Sequence, residues 1–176
     1  FQTGPLISSL EDATYTNYDG AYLRECALVN GVANYASLNS SDDLEAAQDL
    51  FDWVVAHIAL DPQPAADAKP AAQLPWQTLL LGHGTAVDRA WLFALLARQI
   101  DLDAVLLYLP QAAGPDESPT LTLWTVGILH NGEIYLFDPT YGLPLPGPDQ
   151  SIATLTDVQQ NAALLRAWDT AEKPYW

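Results

Sequence analysis

The chain has 176 residues, enough for one domain with a substantial core, and 49% of them are hydrophobic, which excludes a disordered polymer. Its 22 acidic and six basic residues give a net charge of −16, which opposes binding to the phosphates of nucleic acid. No apolar run approaches the about 20 residues that a membrane-spanning helix needs, so we expect no membrane span in this chain.

The single cysteine, Cys26, excludes a disulfide within the chain, and its helical surroundings favour a buried structural thiol. The three histidines are far apart and show no metal-ligand spacing, so we expect neither a metal nor a cofactor. The acidic surface could attract a cationic partner or divalent cations, but solubility in a salty medium explains it more simply.

The chain begins at Phe1 and contains no methionine, so we expect it to be a processed form or a domain of a larger protein. We expect an exported or periplasmic protein of bacterial type, with a cytoplasmic location left open. The sequence identifies neither a ligand nor an oligomeric state.

The first part of the chain, residues 1–60, contains two amphipathic patterns. The first predicts a helix over residues 19–36. Capping residues at Ser40 and Ser41 introduce the second, which predicts a helix that ends near Ile58. The prolines and alanines of residues 61–75 then predict a surface loop.

The next part, residues 76–142, is predicted to be the core of a single domain that spans residues 1–176. A central helix is predicted from Thr85 to Gln99. Strands are predicted over residues 104–109, 121–129 and 133–137, and Asn131-Gly132 between the last two is a strong hairpin signal.

After the core, residues 143–176 are predicted to hold an extended segment and a C-terminal helix. The prolines of residues 139–148 exclude a helix or a central strand, and residues 154–168 predict a helix. Helices followed by a small antiparallel sheet indicate an α+β fold, with N-terminal helices and a central helix packed on the sheet.

Two motifs in the core resemble a known family. Gly84-Thr85-Ala86-Val87-Asp88-Arg89-Ala90 resembles the Gly-x-Cys-x-Asp-x-Ala pattern with which the transglutaminase-like superfamily enters its central helix. Asp138-Pro139-Thr140 resembles the family's Asp-Pro-Thr, which follows a strand bearing a histidine. The resemblance implies the papain-like cysteine protease fold.

The catalytic residues of that family are not all present. The resemblance places Ala86 at the cysteine position, Leu123 or Trp124 at the histidine position and Asp138 at the acid position. Cysteine-dependent catalysis requires a thiolate, an activating imidazole and an orienting group, and two of the three are missing. An engineered alanine would explain one loss but not both, so natural loss is the favoured explanation.

The remaining polar and aromatic residues of this region are candidates for binding. We expect a groove between the central helix and the strand from Leu121, contacted by the following residues: His83, Asp88, Arg89, Trp124, Asp138. Arg89, if buried, needs an acidic partner, for which Asp138 is the natural candidate. Trp76, Trp91 and Trp124 could form an aromatic wall, although core packing is the commoner role of tryptophan.

Three hypotheses follow. The leading one is a catalytically inactive domain that binds or scaffolds an unknown protein or peptide. The alternative is a hydrolase or acyl transferase with a non-standard site that uses His83 and Asp138, with Thr85 or a bound water as nucleophile. In the third, the groove is filled by the domain's own side chains or covered by residues 139–148.

Overall fold

The computed structural model describes residues 14–62, 73–111, 120–169 and 175. The predicted loop over residues 61–75 lies mostly outside the described residues, and so do parts of the predicted C-terminal segment. Among the described residues, no helix is long and apolar enough to cross a membrane.

Two helices form the N-terminal part, as predicted. Helix α1 (Asn17–Ala36) begins with a capping box in which Thr16 and Asp19 satisfy each other's backbone amides. Helix α2 (Asp43–His57) is capped by Asp42, whose side chain accepts a hydrogen bond from the amide of Glu45.

A short helix that was not predicted precedes the central helix. Helix α3 (Pro75–Leu81) has proline at its first position, where the missing N–H costs nothing. Strand β1 (Ala59–Leu60), after α2, pairs in parallel with β2 (His83–Gly84). The central helix α4 (Ala86–Gln99) follows at once, and its predicted bounds are confirmed to within one residue.

The main sheet has the strand order β3-β4-β5-β6 and is antiparallel throughout. Its strands are β3 (Asp103–Pro110), β4 (Leu121–His130), β5 (Glu133–Asp138) and the two-residue β6 (Leu143–Pro144). The predicted hairpin turn is confirmed, because Asn131 and Gly132 have φ angles of 51° and 84°, the left-handed values that such a turn needs. The α+β fold is therefore confirmed.

The predicted helix over residues 154–168 is wrong as a continuous element. Helix α5 (Leu155–Gln160) ends at Asn161, whose backbone is not helical, and a 3-10 helix (Ala162–Trp168) follows. The side chain of Asn161 caps this second helix by accepting a hydrogen bond from the amide of Ala163. Asparagine favours such local bonds over helix continuation.

Two apolar clusters lie on opposite faces of the sheet. The larger joins α1, α2 and α4 to the sheet, and at its centre the rings of Phe51, Phe93 and Phe137 lie 5.1–5.4 Å apart. The smaller contains Trp124, Leu136, Leu145, Ala153 and Val158. The first cluster fixes α4 on the sheet, and the second holds the C-terminal elements.

We expect Phe93→Ala to lower the free energy of unfolding by about 3–5 kcal/mol, because it removes one of three mutually packed rings and leaves a cavity. Urea denaturation measures this change. Tyr18→Ala is the matched control, since Tyr18 is 87% exposed, and it should stay within about 0.5 kcal/mol of the wild type. A loss below about 1 kcal/mol at Phe93 would contradict the packing described here.

Candidate functional site

Ala86 is the first residue of α4, and Thr85 is its N-cap. The Thr85 hydroxyl lies 2.7 Å from Oδ2 of Asp88, and its oxygen also accepts a hydrogen bond from the Asp88 amide. The first turn of α4 therefore holds a methyl group where a nucleophile would profit from the helix N-terminus. Thr85 does not replace the nucleophile, because its hydroxyl is engaged in the cap.

Asp88 is buried and holds the chain that leads into α4. Its Oδ2 accepts a hydrogen bond of 2.8 Å from the Thr85 amide, and its Oδ1 accepts one of 3.3 Å from the Gln73 amide. A Cβ atom on Gly84 would lie 2.9 Å from Cβ of Asp88, too close for any side chain. Gly84 and Asp88 thus have a structural role at the start of α4, which does not depend on a catalytic residue at position 86.

Leu123 and Trp124 lie on opposite faces of the sheet. The β3–β4 register shifts between Leu107 and Tyr108, which pair with Thr125 and Leu123, so Trp124 is the extra residue of a β-bulge. Leu123 packs against the cluster that contains α4, whereas Trp124 belongs to the cluster on the other face. Of the two candidates for the histidine position, Leu123 is the one that faces the central helix.

Asp138 ends β5 and is only 1% exposed. Its Oδ1 accepts hydrogen bonds of 2.6 Å and 2.8 Å from the amides of Thr140 and Tyr141, which close the turn after the strand. Its Oδ2 accepts a hydrogen bond from the hydroxyl of Tyr175. The Tyr175 ring packs on Tyr141 and Trp168, with ring centres 5.4 Å and 5.1 Å away.

Burial raises the pKa of Asp138 above its ordinary value, because the charged carboxylate loses its hydration. The hydrogen bonds from Tyr175, Tyr141 and Thr140 favour the charged form and oppose this rise in the pKa. The Asp138 carboxylate therefore has structural partners of its own, and its place in the fold does not depend on a histidine for it to orient.

The expected ion pair between Arg89 and Asp138 is wrong. The Nε of Arg89 donates to the carbonyl of Ile58 at 2.8 Å, Nη2 donates to the same carbonyl, and Nη1 donates to that of Pro139 at 3.3 Å. No ion pair involving either side chain is found among the described residues. A planar guanidinium matches such fixed carbonyls well, so Arg89 is satisfied by the backbone at α2 and after β5.

His83 lies on β2 and is half-exposed, with its Nδ1 2.8 Å from Oδ1 of Asp61. No local pattern predicts this contact, because the two residues are brought together only by the pairing of β1 with β2. A carboxylate on one ring nitrogen orients the other toward solvent, as in general bases. His83 and Asp138 do not share a pocket, however, since Asp138 is buried against Tyr175.

A cavity of about 480 Å³ lies between α4 and β3. Its α4 side is a stripe at helical spacing formed by Val87, Asp88, Trp91, Ala94, Leu95 and Arg98. Ala104 and Leu106 of β3 line the other side, and Gln73, Leu74 and Pro75 close one end. The lining is mainly apolar, with Trp91 half-exposed and Arg98 exposed.

Comparison with known proteins agrees with this architecture. Residues 30–116 match the family model described as the transglutaminase-like superfamily. The chain carries a transglutaminase-like domain. The match includes Gly84, Ala86 and Asp88 but ends before β4, so the strands that carry Leu123 and Asp138 are outside it.

A crystal structure of a candidate cysteine protease from Cytophaga hutchinsonii resembles this transglutaminase-like domain, with a TM-score of 0.51 and 17% sequence identity. The likeness covers 77% of this chain but only 44% of that protein, so the domain spans less than half of its length. At this identity the likeness shows the fold alone. No curated protein matches the sequence.

Of the five predicted binding residues of the transglutaminase-like domain, only Asp88 lines the cavity. Its side chain is buried and hydrogen-bonded to the Thr85 amide. His83 is exposed outside the cavity lining, and Arg89, Trp124 and Asp138 are buried. Among the described residues, the cavity lies between α4 and β3 and is not lined by the strand from Leu121, where the groove was predicted. The predicted aromatic wall is also absent among the described residues, since Trp91 lines the cavity while Trp124 lies on the other face.

Several residues of this region had no functional prediction. Arg98, Ala104 and Leu106 line the cavity. The sequence pattern could have indicated Arg98, because it lies on the same face of α4 as Trp91 at helical spacing. Tyr175 had no local signal, since its partner Asp138 is 37 residues away. The segment 139–148, expected as a cover for the groove, instead forms β6 and places Leu145 in the smaller cluster.

We expect Asp138→Asn to change how stability depends on pH. In the wild type the folded carboxyl has the higher pKa, so its contribution to stability is complete below the unfolded pKa of about 3.9 and is lost as the pH rises through the folded pKa. Asparagine does not titrate. Urea denaturation from about pH 4 to about pH 8 should show the wild type losing stability relative to the variant as the pH rises.

The opposite trend, with the wild type gaining on the variant as the pH rises, would mean that the hydrogen bonds to Asp138 outweigh its burial. That result would contradict the raised pKa of Asp138. Asp157→Asn is the matched control, because hydrogen bonds from Thr154 lower the pKa of the partly buried Asp157, so its trend should have the reverse sign.

Proposed function

We propose that this transglutaminase-like domain is a binding module without cysteine-dependent catalysis. The observation that carries the proposal is Ala86 at the first position of α4, beside the Thr85 and Asp88 side chains, which are engaged in capping. Leu123, on the face of the sheet toward α4, packs in the apolar cluster instead of supplying an imidazole. Asp138, the third member, is bound to Tyr175 and the following turn.

The surface for binding is the cavity between α4 and β3, since Trp124 and Asp138 are too buried to touch a partner (7% and 1% exposed). Pockets that are mainly apolar with a few polar groups are the usual form of ligand sites. Trp91 and Arg98 supply the side chains that a protein or peptide partner would contact first, because both are exposed at the cavity.

One observation favours a second candidate, a hydrolase or acyl transferase that uses His83 as base. The partner that orients His83 would be Asp61 at 2.8 Å, rather than Asp138. A water molecule would have to serve as nucleophile, because the Thr85 hydroxyl is engaged with Asp88.

An activity screen separates the two candidates. We expect the wild type to stay at background both in amine transfer to a glutamine peptide and in hydrolysis of a fluorogenic peptide pool. Turnover that is lost in His83→Gln and kept in the exposed control His57→Gln would contradict the binding-module proposal and support the second candidate.

A cysteine placed at position 86 tests whether the turn keeps the geometry of the family's nucleophile. In the Cys26→Ser background, we expect the Ala86→Cys thiol to react with iodoacetamide with a pKa at least about one unit below the usual value of about 8.5, because it begins a helix. An alkylation profile with a pKa at or above the usual value would show that position 86 is not a helix-start nucleophile site.

A further inference from the structure

Strand β3 is an exposed edge of the main sheet. It stands first in the order β3-β4-β5-β6, and none of its eight residues is buried. Within the part of the chain that the structure describes, no strand pairs with its outer side. Its unpaired backbone groups are therefore free to bind another extended segment.

The central part of β3 lacks the features that usually protect such an edge. Residues 104–109 read Ala-Val-Leu-Leu-Tyr-Leu, with no charge, and the charged Asp103 and Pro110 stand only at the two ends of the strand. Natural edge strands commonly carry charges or prolines that prevent pairing with other chains. An unprotected apolar edge of this length indicates an interaction site.

The cavity lies directly beside this edge. Ala104 and Leu106 belong to β3 and also line the cavity, opposite Trp91 and Leu95 of α4. A strand added to the edge would project alternate side chains toward the α4 face of the sheet. An apolar side chain of that strand would thus reach the cavity.

Arg98 supplies a cation at the same place. It lines the cavity, and no ion pair of Arg98 is found among the described residues. It lies near the end of α4, five residues before β3 begins. A strand antiparallel to β3, the arrangement of the whole sheet, would bring its C-terminal end to this side, where a carboxylate would meet the guanidinium.

We propose that β3 and the cavity bind the C-terminal end of a polypeptide from another protein. The peptide adds a strand antiparallel to β3, places an apolar side chain against Trp91 and Leu106, and pairs its terminal carboxylate with Arg98. This inference rests on the proposed binding function and names the class of partner.

The charge of the chain favours such a peptide over a second copy of the domain. Two copies with a net charge of −16 each repel one another, whereas a peptide with one carboxylate and basic residues outside the cavity is attracted. A single terminal carboxylate also matches the single cation that lines the cavity.

The test uses a pool of fluorescein-labelled heptapeptides, Lys-Thr-x-Thr-x-Thr-x with a free C-terminus, where x is valine, leucine or phenylalanine. Fluorescence anisotropy measures binding to the wild type, Arg98→Gln, Trp91→Ala and the control Arg166→Gln, an exposed arginine on the 3-10 helix after α5. We expect the pool to bind the wild type and Arg166→Gln equally, and to bind Arg98→Gln and Trp91→Ala about tenfold more weakly or worse.

Two modified pools identify the contacts. Amidation of the C-terminus should weaken binding to the wild type but change little in Arg98→Gln, because the guanidinium is already gone. Methylation of alternate backbone nitrogens should abolish binding, because it removes the donors for strand pairing. Amidated or N-methylated pools that bind as well as the parent pool would overturn the proposal.

Other outcomes also overturn it. One is a parent pool that binds the wild type no better than Trp91→Ala. Another is a concentration-dependent dimer in analytical ultracentrifugation that Trp91→Ala abolishes, since the occupant would then be a second copy. Mass spectrometry of the peptides after incubation distinguishes the two failures: lost binding with intact peptides rejects this inference alone, whereas cleaved peptides reject the proposed function.

Discussion

One guanidinium connects the two halves of this domain. Arg89, on the first turns of α4, donates to the carbonyl of Ile58 at the end of α2 and to that of Pro139 after β5. Because it is buried, it must keep these partners, and each of them fixes one element against the central helix. Together with the larger apolar cluster, this contact sets the position of α4 on the sheet, and with it the cavity.

Three residues of the family's motifs have structural roles in this domain. Gly84 is needed because Asp88 lies where a side chain would be, and Asp88 caps α4 and holds Gln73. Asp138 closes its own turn and binds Tyr175. Ala86 begins α4 and Leu123 packs in the larger apolar cluster, so neither belongs to these hydrogen-bonded contacts.

Much of the fold was predictable because its signals are local. The spacing of apolar residues predicts α4, and Asn131-Gly132 predicts the hairpin. The site was less predictable, because contacts distant in sequence determine it. The bulge that puts Leu123, rather than Trp124, on the same face as Val126 depends on pairing with β3. The carbonyls that satisfy Arg89 come from residues 31 and 50 positions away. Neither feature leaves a pattern in the local sequence.

The most direct test of this account is the free energy of unfolding of Arg89→Lys. Lysine keeps the charge but cannot reach both carbonyls as a planar fork, so the account predicts a loss of about 1.5–3 kcal/mol. The exposed control Arg24→Lys should change stability by less than about 0.5 kcal/mol. Equal stability of Arg89→Lys and the wild type would contradict the claim that this residue holds the helices to the sheet.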